Sequence, residues 1–313
     1  MKIVNVVYRE VFLIKYKIGF DSVRPDIKIE RMSFLSIVWD PSLGIDLGFF
    51  VIRWYSLMFV ATFILGFRLM KKMFLNEAVP VDKLDPLFMY TFISMLVGMR
   101  LGDVFFYSWE YYQNHLLEIV LPFKENANSS ALFGMIKGWE FTGYTGFASH
   151  GAAIGIILAL YFYSRKIIKK PFLFILDRMG ILVALAGFFI RLGNFFNSEI
   201  YGKPTGTNFG VIFKSAGETV PRHPTQLYEA FGYLILFFVL WRMYWKTEAK
   251  EKSGYLFGVF FTVLWSLRFV IEFLKEPQVS VRGEDWFFSP LNTGQVLSIP
   301  LVIIGLFFVF RKK

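Results

Sequence analysis

Apolar positions along this chain come in stretches close to the length that a helix needs to cross a bilayer core, about 20 residues. Seven such stretches, roughly 49–70, 86–108, 148–164, 172–194, 226–245, 254–274 and 293–310, predict seven transmembrane helices in an all-α bundle. Lys and Arg gather after the first, third, fifth and seventh stretches, at 71–72, 165–170, 242–252 and 311–313. Every second end is therefore expected on the cytoplasmic side, with the C-terminus inside and the start of the first span outside. Two long connections, about 109–147 and 195–225, and a shorter one, about 275–292, then fall on the outer side. Trp109, Tyr111, Tyr112, Trp139 and Tyr144 give the first of them an interfacial belt composition, and 126–130 reads as a solvated turn. No internal repeat and no low-complexity segment stands out.

The first 31 residues depart from this pattern. They hold seven Lys and Arg against four acids with only short apolar runs between. A basic segment on the outer side runs against the positive-inside rule, and it is neither a signal peptide nor a span. Residues 1–31 are expected to be a non-native or extra extension, Met32 the biological start, and 32–313 one transmembrane domain.

Composition agrees with a membrane class. Of 313 residues, 55% are hydrophobic and 19% charged, 39 are Phe, and the mean hydropathy is +0.49. The net charge of +10 sits at span ends, so it reports orientation and contact with anionic lipid, not nucleic acid. There is no cysteine, which excludes disulfides, thiolate metal sites and a cysteine nucleophile on this chain. Any thiol chemistry must use a thiol that arrives with a substrate.

Polar residues embedded in the apolar stretches are one-sided. Arg53, Arg100, Arg191 with Asn194, and Arg268 with Glu272 all fall in the outer halves of their spans. His150 opens the third span in "SHGAAIG", Gln295 opens the seventh, and "PRHPTQLYEA" brings Arg222, His223, Gln226, Tyr228 and Glu229 to the mouth of the fifth. A charge at the bilayer centre costs about 2.5–3.5 kcal/mol on insertion scales, so four embedded arginines need partners, a wet cavity or an anionic ligand. Plainer readings stand beside this one. Arg268 and Glu272 are spaced for an i,i+4 ion pair. Asn194 and Asn197 are suited to hydrogen bonds between helices, and Arg53 to snorkelling. His115 reads as a solvated loop residue and His223 as a helix-entry residue. As a set, converging guanidinium groups make a receptor for a phosphate, here that of a lipid whose tails reach the apolar walls. Residue types alone lead to an anionic-lipid site with a candidate histidine base.

The stretches "IRWYSLM", "GMRLGDVFFY", "SHGAAIG", "RLGNFFNSEIYGKPT", "RHPTQLYEA", "LRFVIEFLKEP" and "TGQVLSIP", in this order, resemble the prolipoprotein diacylglyceryl transferase family from Met32 onward. The resemblance implies transfer of the diacylglyceryl group of phosphatidylglycerol to the lipobox cysteine thiol of a preprolipoprotein. The product is a thioether, glycerol phosphate is released, and no cofactor takes part. It implies a multi-pass protein of the bacterial cytoplasmic (inner) membrane, with membrane lipid and the preprolipoprotein signal peptide as partners. By the same resemblance Arg191 binds phosphatidylglycerol, Arg268 serves the phosphate or the leaving-group charge, and His150 takes the thiol proton. Tyr55, Asn194, Glu199 and Glu272 shape or support the site.

This chain departs from the family pattern in four places. Ile190 and Ser198 stand where glycine is frequent, and Lys203 and Lys275 where arginine is frequent. The rival reading is a transporter or flippase for an anionic lipid or another anion, which would call for pseudo-symmetric halves and a midplane site. A non-catalytic lipid-binding scaffold would need the arginines but not His150. An intramembrane serine protease is weaker still, because no nucleophile elbow is visible.

Overall fold

The computed structural model describes residues 36–48, 51–131, 136–142, 148–276 and 291–311, and the side chains of 127, 128, 130, 131 and 136 are outside that description. The expected extension at 1–31 and the start at Met32 lie outside the described residues. Nine α-helices are described: α1 (Trp54–Asn76), α2 (Leu84–Phe106), α3 (Trp109–Tyr112), α4 (Leu116–Val120), α5 (Ser149–Tyr163), α6 (Phe172–Phe196), α7 (Thr225–Lys246), α8 (Tyr255–Ile271) and α9 (Thr293–Phe310). Six segments are long and apolar enough to cross a membrane: Val81–Phe106, Ser149–Ile168, Phe172–Phe196, Thr225–Lys246, Tyr255–Leu274 and Thr293–Phe310. The chain is thus a polytopic helical membrane protein. The expected seventh, α1, has the length at 23 residues, but Arg68, Lys71 and Lys72 within it keep it out of that set.

Three small sheets correct the all-α expectation. β1 (Ser36–Trp39) pairs in parallel with β6 (Gly210–Phe213). β2 (Gly44–Asp46) and β3 (Val51–Arg53) form a hairpin leading into α1, and β4 (Phe123–Ala131) pairs with β5 (Ile136–Phe141). All three lie outside the long helices, ahead of α1 or in the connections between helices, where water and strand partners can satisfy backbone groups that only a helix or closed barrel satisfies in lipid. Residues 126–130, expected as a turn, run within β4 instead, and the register shifts between Glu125 and Ser130. Asn126 donates to Glu140 across the pair (2.9 Å). Of the expected aromatic belt, Trp109 is exposed, but Tyr112 turns inward under Arg100, and Tyr144 lies outside the described residues.

The bundle has two ends. One, the basic end, carries Lys71, Lys72, 165–170 and 242–252. The largest buried cluster, around Met70, Met73, Phe74, Leu84, Tyr163, Ile175, Leu240, Tyr244 and Leu256, belongs to this half. Asp177 of α6 accepts hydrogen bonds from the backbone N–H groups of Gly254 and Phe257 (2.8 Å each), satisfying donors at the start of α8. Next to it Arg178 pairs with Glu77 (Nε–Oε2 3.1 Å), which also accepts from the Tyr244 hydroxyl (2.9 Å). This buried lattice ties α1, α6 and α7 together.

The opposite end is set by two close crossings. At Gly151 of α5 an added Cβ would lie 2.1 Å from the Gly98 carbonyl and 2.7 Å from the Gly102 Cα, so α2 and α5 touch backbone to backbone. Past α6, Phe195 packs with Val211 and Phe213 beside Trp39, whose indole N–H donates to the Phe195 carbonyl (3.0 Å). The β1–β6 pair therefore sits directly over the end of α6.

Candidate active site

Arg191 lies in the last turns of α6, and its side chain is 14% exposed. Its Nε is 2.8 Å from Oε2 of Glu229 on α7, and its Nη1 donates to Asn194 Oδ1 at 3.1 Å. A guanidinium has five N–H donors. Glu229 and Asn194 leave part of that set free for another acceptor. Asn194 in turn donates to Glu199 Oε1 (2.7 Å), which also accepts from Asn197 Nδ2 (3.3 Å). Among the described residues the asparagines therefore do not bridge helices. Asn194 ties Arg191 to the loop beyond α6.

That loop turns sharply. Ser198 and Ile200 both adopt left-handed backbone, φ 54° and 60°. Side chains enter this region reluctantly, which accounts for the fit of glycine at 198. In this chain the Ser198 hydroxyl gains a partner in the Ser215 hydroxyl at 2.7 Å. The turn holds the Glu199 carbonyl where the Gln226 amide donates to it (2.7 Å). The Ile200 carbonyl accepts from Thr225 (3.1 Å). Glu199 itself is exposed at the rim.

Glu229 is fully buried and shared. Its second oxygen accepts a hydrogen bond from Lys275 Nζ at 2.8 Å, and Lys275, 5% exposed, lies 3.5 Å from Glu272 Oε2. Glu272 does not pair with Arg268 among the described residues. It stands in the 3-10 turn Glu272–Leu274 that closes α8, and this turn points it at Lys275 and against Gly294, where an added Cβ would meet the carboxylate at 2.7 Å. Arg268, half-buried beside Trp265 (5.9 Å), is close enough for its charge to act on both Tyr233 and Lys275. Tyr55 closes another wall: its ring packs so tightly on Gly193 that a Cβ there would lie 2.5 Å from it.

Arg191, Asn194, Glu199, Tyr55, Glu272 and Arg268 thus converge on one end of the bundle. His150 shares no hydrogen bond or ion pair with them among the described residues. It is exposed in the first turn of α5, on the helix that packs against α2, and no hydrogen bond or ion pair holds it among the described residues. Other embedded polar residues turn out to be structural. Arg100 donates to the backbone carbonyls of Glu118 and Ile119 (3.2 Å to the latter) and stacks on Tyr112, anchoring α4. Arg53 is exposed where β3 meets α1, as snorkelling would have it. His115 stacks on Tyr111, His223 meets the Tyr228 hydroxyl (3.2 Å), and Gln295 forms a capping box with Asn292. Two members of the cluster were absent from the expected site: Glu229 and Lys275. The available signal was Glu229 itself, a carboxylate inside an apolar helix with no cation a turn away on that helix.

Three buried or half-buried cations, Arg191, Arg268 and Lys275, face two inner carboxylates, Glu229 and Glu272. With Glu199 exposed at the rim, the inner part of the site carries surplus positive charge in an apolar setting, where it favours an anion. Fold and site together define a multi-pass membrane protein with a cationic pocket at one end of its bundle. The family model for prolipoprotein diacylglyceryl transferase matches residues 43–311, and the chain belongs to that family. Similar proteins named phosphatidylglycerol–prolipoprotein diacylglyceryl transferase occur in Bacteroides fragilis (39% identical over 283 residues, 89% of this chain and 97% of that protein). Others are found in Tolumonas auensis (39%, covering 85% and 93%) and Chloroherpeton thalassium (40%, covering 88% and 94%).

Proposed function

We propose that this chain transfers the diacylglyceryl group of phosphatidylglycerol to a cysteine thiol of a prolipoprotein, and that the Arg191 cluster is where the lipid phosphate sits. The carrying observation is the charge balance of three cations against two inner carboxylates around Arg191, whose geometry Glu229 and Asn194 hold.

The chemistry asks for this surplus. The thiol sulfur attacks the diacylglyceryl carbon that bears the phosphate oxygen, a C–S bond forms, and the C–O bond breaks with its electron pair going to the phosphate. The phosphodiester carries one negative charge, and the departing glycerol phosphate gains another as the thiol proton leaves. Donors placed where charge develops lower the barrier, and one such donor is worth about 2.7–4 kcal/mol in mutated enzymes. Arg191 and Arg268 serve as those donors. Tyr55 walls the site, and Asn194, Glu199 and Glu272 hold the cations or meet the glycerol hydroxyls. His150 takes the thiol proton. Exposed and holding no hydrogen bond or ion pair among the described residues, it suits a proton that arrives on a second substrate, the lipobox cysteine of a signal peptide.

We place the site at the outer leaflet of the bacterial cytoplasmic membrane, with α1 as a seventh span, the C-terminus inside and the start of α1 outside. The reason is that Lys and Arg collect at the other end of the bundle. The test uses the purified full chain in detergent with radiolabelled phosphatidylglycerol and a lipobox peptide. Label should move to the peptide, require its cysteine and be lost in Arg191→Ala. Saturable lipid binding without transfer would overturn the reading.

A further inference from the structure

Arg68 has no part in the cluster above. It lies 13 residues along α1 from Tyr55, about 20 Å at 1.5 Å per residue, and about 12 Å short of the helix end at Asn76. With a hydrocarbon core of about 30 Å, that places it in the other half of the bilayer. Its face is an outward one: Val60, Ile64 and Arg68, four apart, are all exposed, whereas Gly66, Met70 and Met73 face the core. Among the described residues Arg68 has no hydrogen bond, ion pair or ring partner. Lys72, one turn on, turns to the rings of Trp241 and Trp245 instead.

A cavity of about 320 Å³ opens beside it, lined by Phe63, Ile64, Phe67 and Arg68 of α1 and by Phe88 of α2. The groove exists because the two helices meet here through ring edges, Phe63–Phe88 at 6.3 Å and Phe67–Phe88 at 5.1 Å, and not through small residues as at Gly98 and Gly151. Its walls are apolar and its one charge is cationic. An arginine on an outward stripe needs an anion, since its own charge is costly at this depth. No acidic side chain among the described residues supplies one.

We propose that this groove is a second, non-catalytic lipid site, which holds one anionic phospholipid of the basic-end leaflet with an acyl chain between α1 and α2 and its phosphate on Arg68. A guanidinium offers a phosphate two parallel donors, and the phenylalanine walls offer the chain a dry contact. The site is independent of the transferase reading.

The test is native mass spectrometry of the full chain released from phosphatidylcholine nanodiscs containing a minority of phosphatidylglycerol. Arg68→Gln should weaken one phosphatidylglycerol adduct about tenfold, the scale of one lost charged contact. Ile64→Trp, which fills the groove and keeps the arginine, should weaken the same adduct. Arg191→Ala should leave it in place. An adduct equally strong in Arg68→Gln, one indifferent to Ile64→Trp, or one lost in Arg191→Ala would each overturn the second site.

Discussion

Glu229 and Arg191 face each other across α7 and α6 at 2.8 Å, and the same carboxylate takes Lys275 from the segment after α8 at 2.8 Å. One fully buried side chain of α7 thus fixes two cations, one arriving on α6 and one on the segment after α8. Removing its charge should be felt at both. Glu229→Gln keeps the volume but leaves Arg191 and Lys275 with like charge and one fewer anion. Losing one partner of a buried pair costs about 3–5 kcal/mol. The expected outcome is a lower thermal midpoint in detergent together with lost transfer. Wild-type stability and turnover in this variant would show that the carboxylate does not organise the site.

His150 is exposed and shares no hydrogen bond or ion pair with the Arg191 cluster among the described residues, so its role and lipid binding should separate. His150→Gln is expected to reduce transfer about 10²–10⁴-fold, the usual contribution of a positioned acid–base group. Lipid affinity should be nearly unchanged. Paired measurement of peptide labelling and phosphatidylglycerol binding decides this, and equal losses in both would make His150 a binding residue.

The contact between Gly193 and Tyr55 leaves no room for a methyl group. Gly193→Ala should push the Tyr55 ring aside at a cost of about 1–3 kcal/mol, typical of overpacking. Because Asn194 follows directly, transfer should fall with stability. Thermal unfolding and activity of the same preparation would show whether the two move together.

Over the end of α6, Glu218 binds the Tyr201 hydroxyl (2.7 Å) and Arg222 (2.6 Å), and Arg222 also reaches Glu276 (2.8 Å). Burial raises the Glu218 carboxyl, but the Tyr201 and Arg222 contacts outweigh it and leave it below the usual glutamate range. A depressed carboxylate stabilises the fold above its unfolded pKa, and that contribution disappears as pH falls through the folded one. Acidification below the ordinary glutamate range should therefore loosen this loop. Amides of Gly202 and Arg222, which bond to the backbone of His223 and Val211, should then exchange faster. Glu218→Gln should exchange faster already at neutral pH and lose most of this pH response.

Much of the bundle was legible in the chain itself. Apolar length located α2 and α5–α9, because the cost of exposing a backbone or a charge to lipid is a local property that each segment settles alone. It also located α1, whose Arg68, Lys71 and Lys72 blur the same signal. The one-sided placement of Arg191, Asn194, Glu199, Arg268 and Glu272 pointed to the site end, and their convergence follows from helix length once each is threaded.

What the chain could not state alone is which embedded charge answers which. Arg100 and Arg191 look alike in sequence, each ahead of a glycine in an apolar run, yet one anchors α4 carbonyls and the other is held by Glu229. Glu272 is spaced to pair with Arg268 but turns to Lys275, because the helix tightens at its end. β1 finds β6 across 174 residues, from Ser36 to Gly210. Such choices depend on the rotation of each helix about its axis and on loops that close over their ends. Only packing of the whole chain sets these, because periodicity within a segment is the same whichever neighbour it meets.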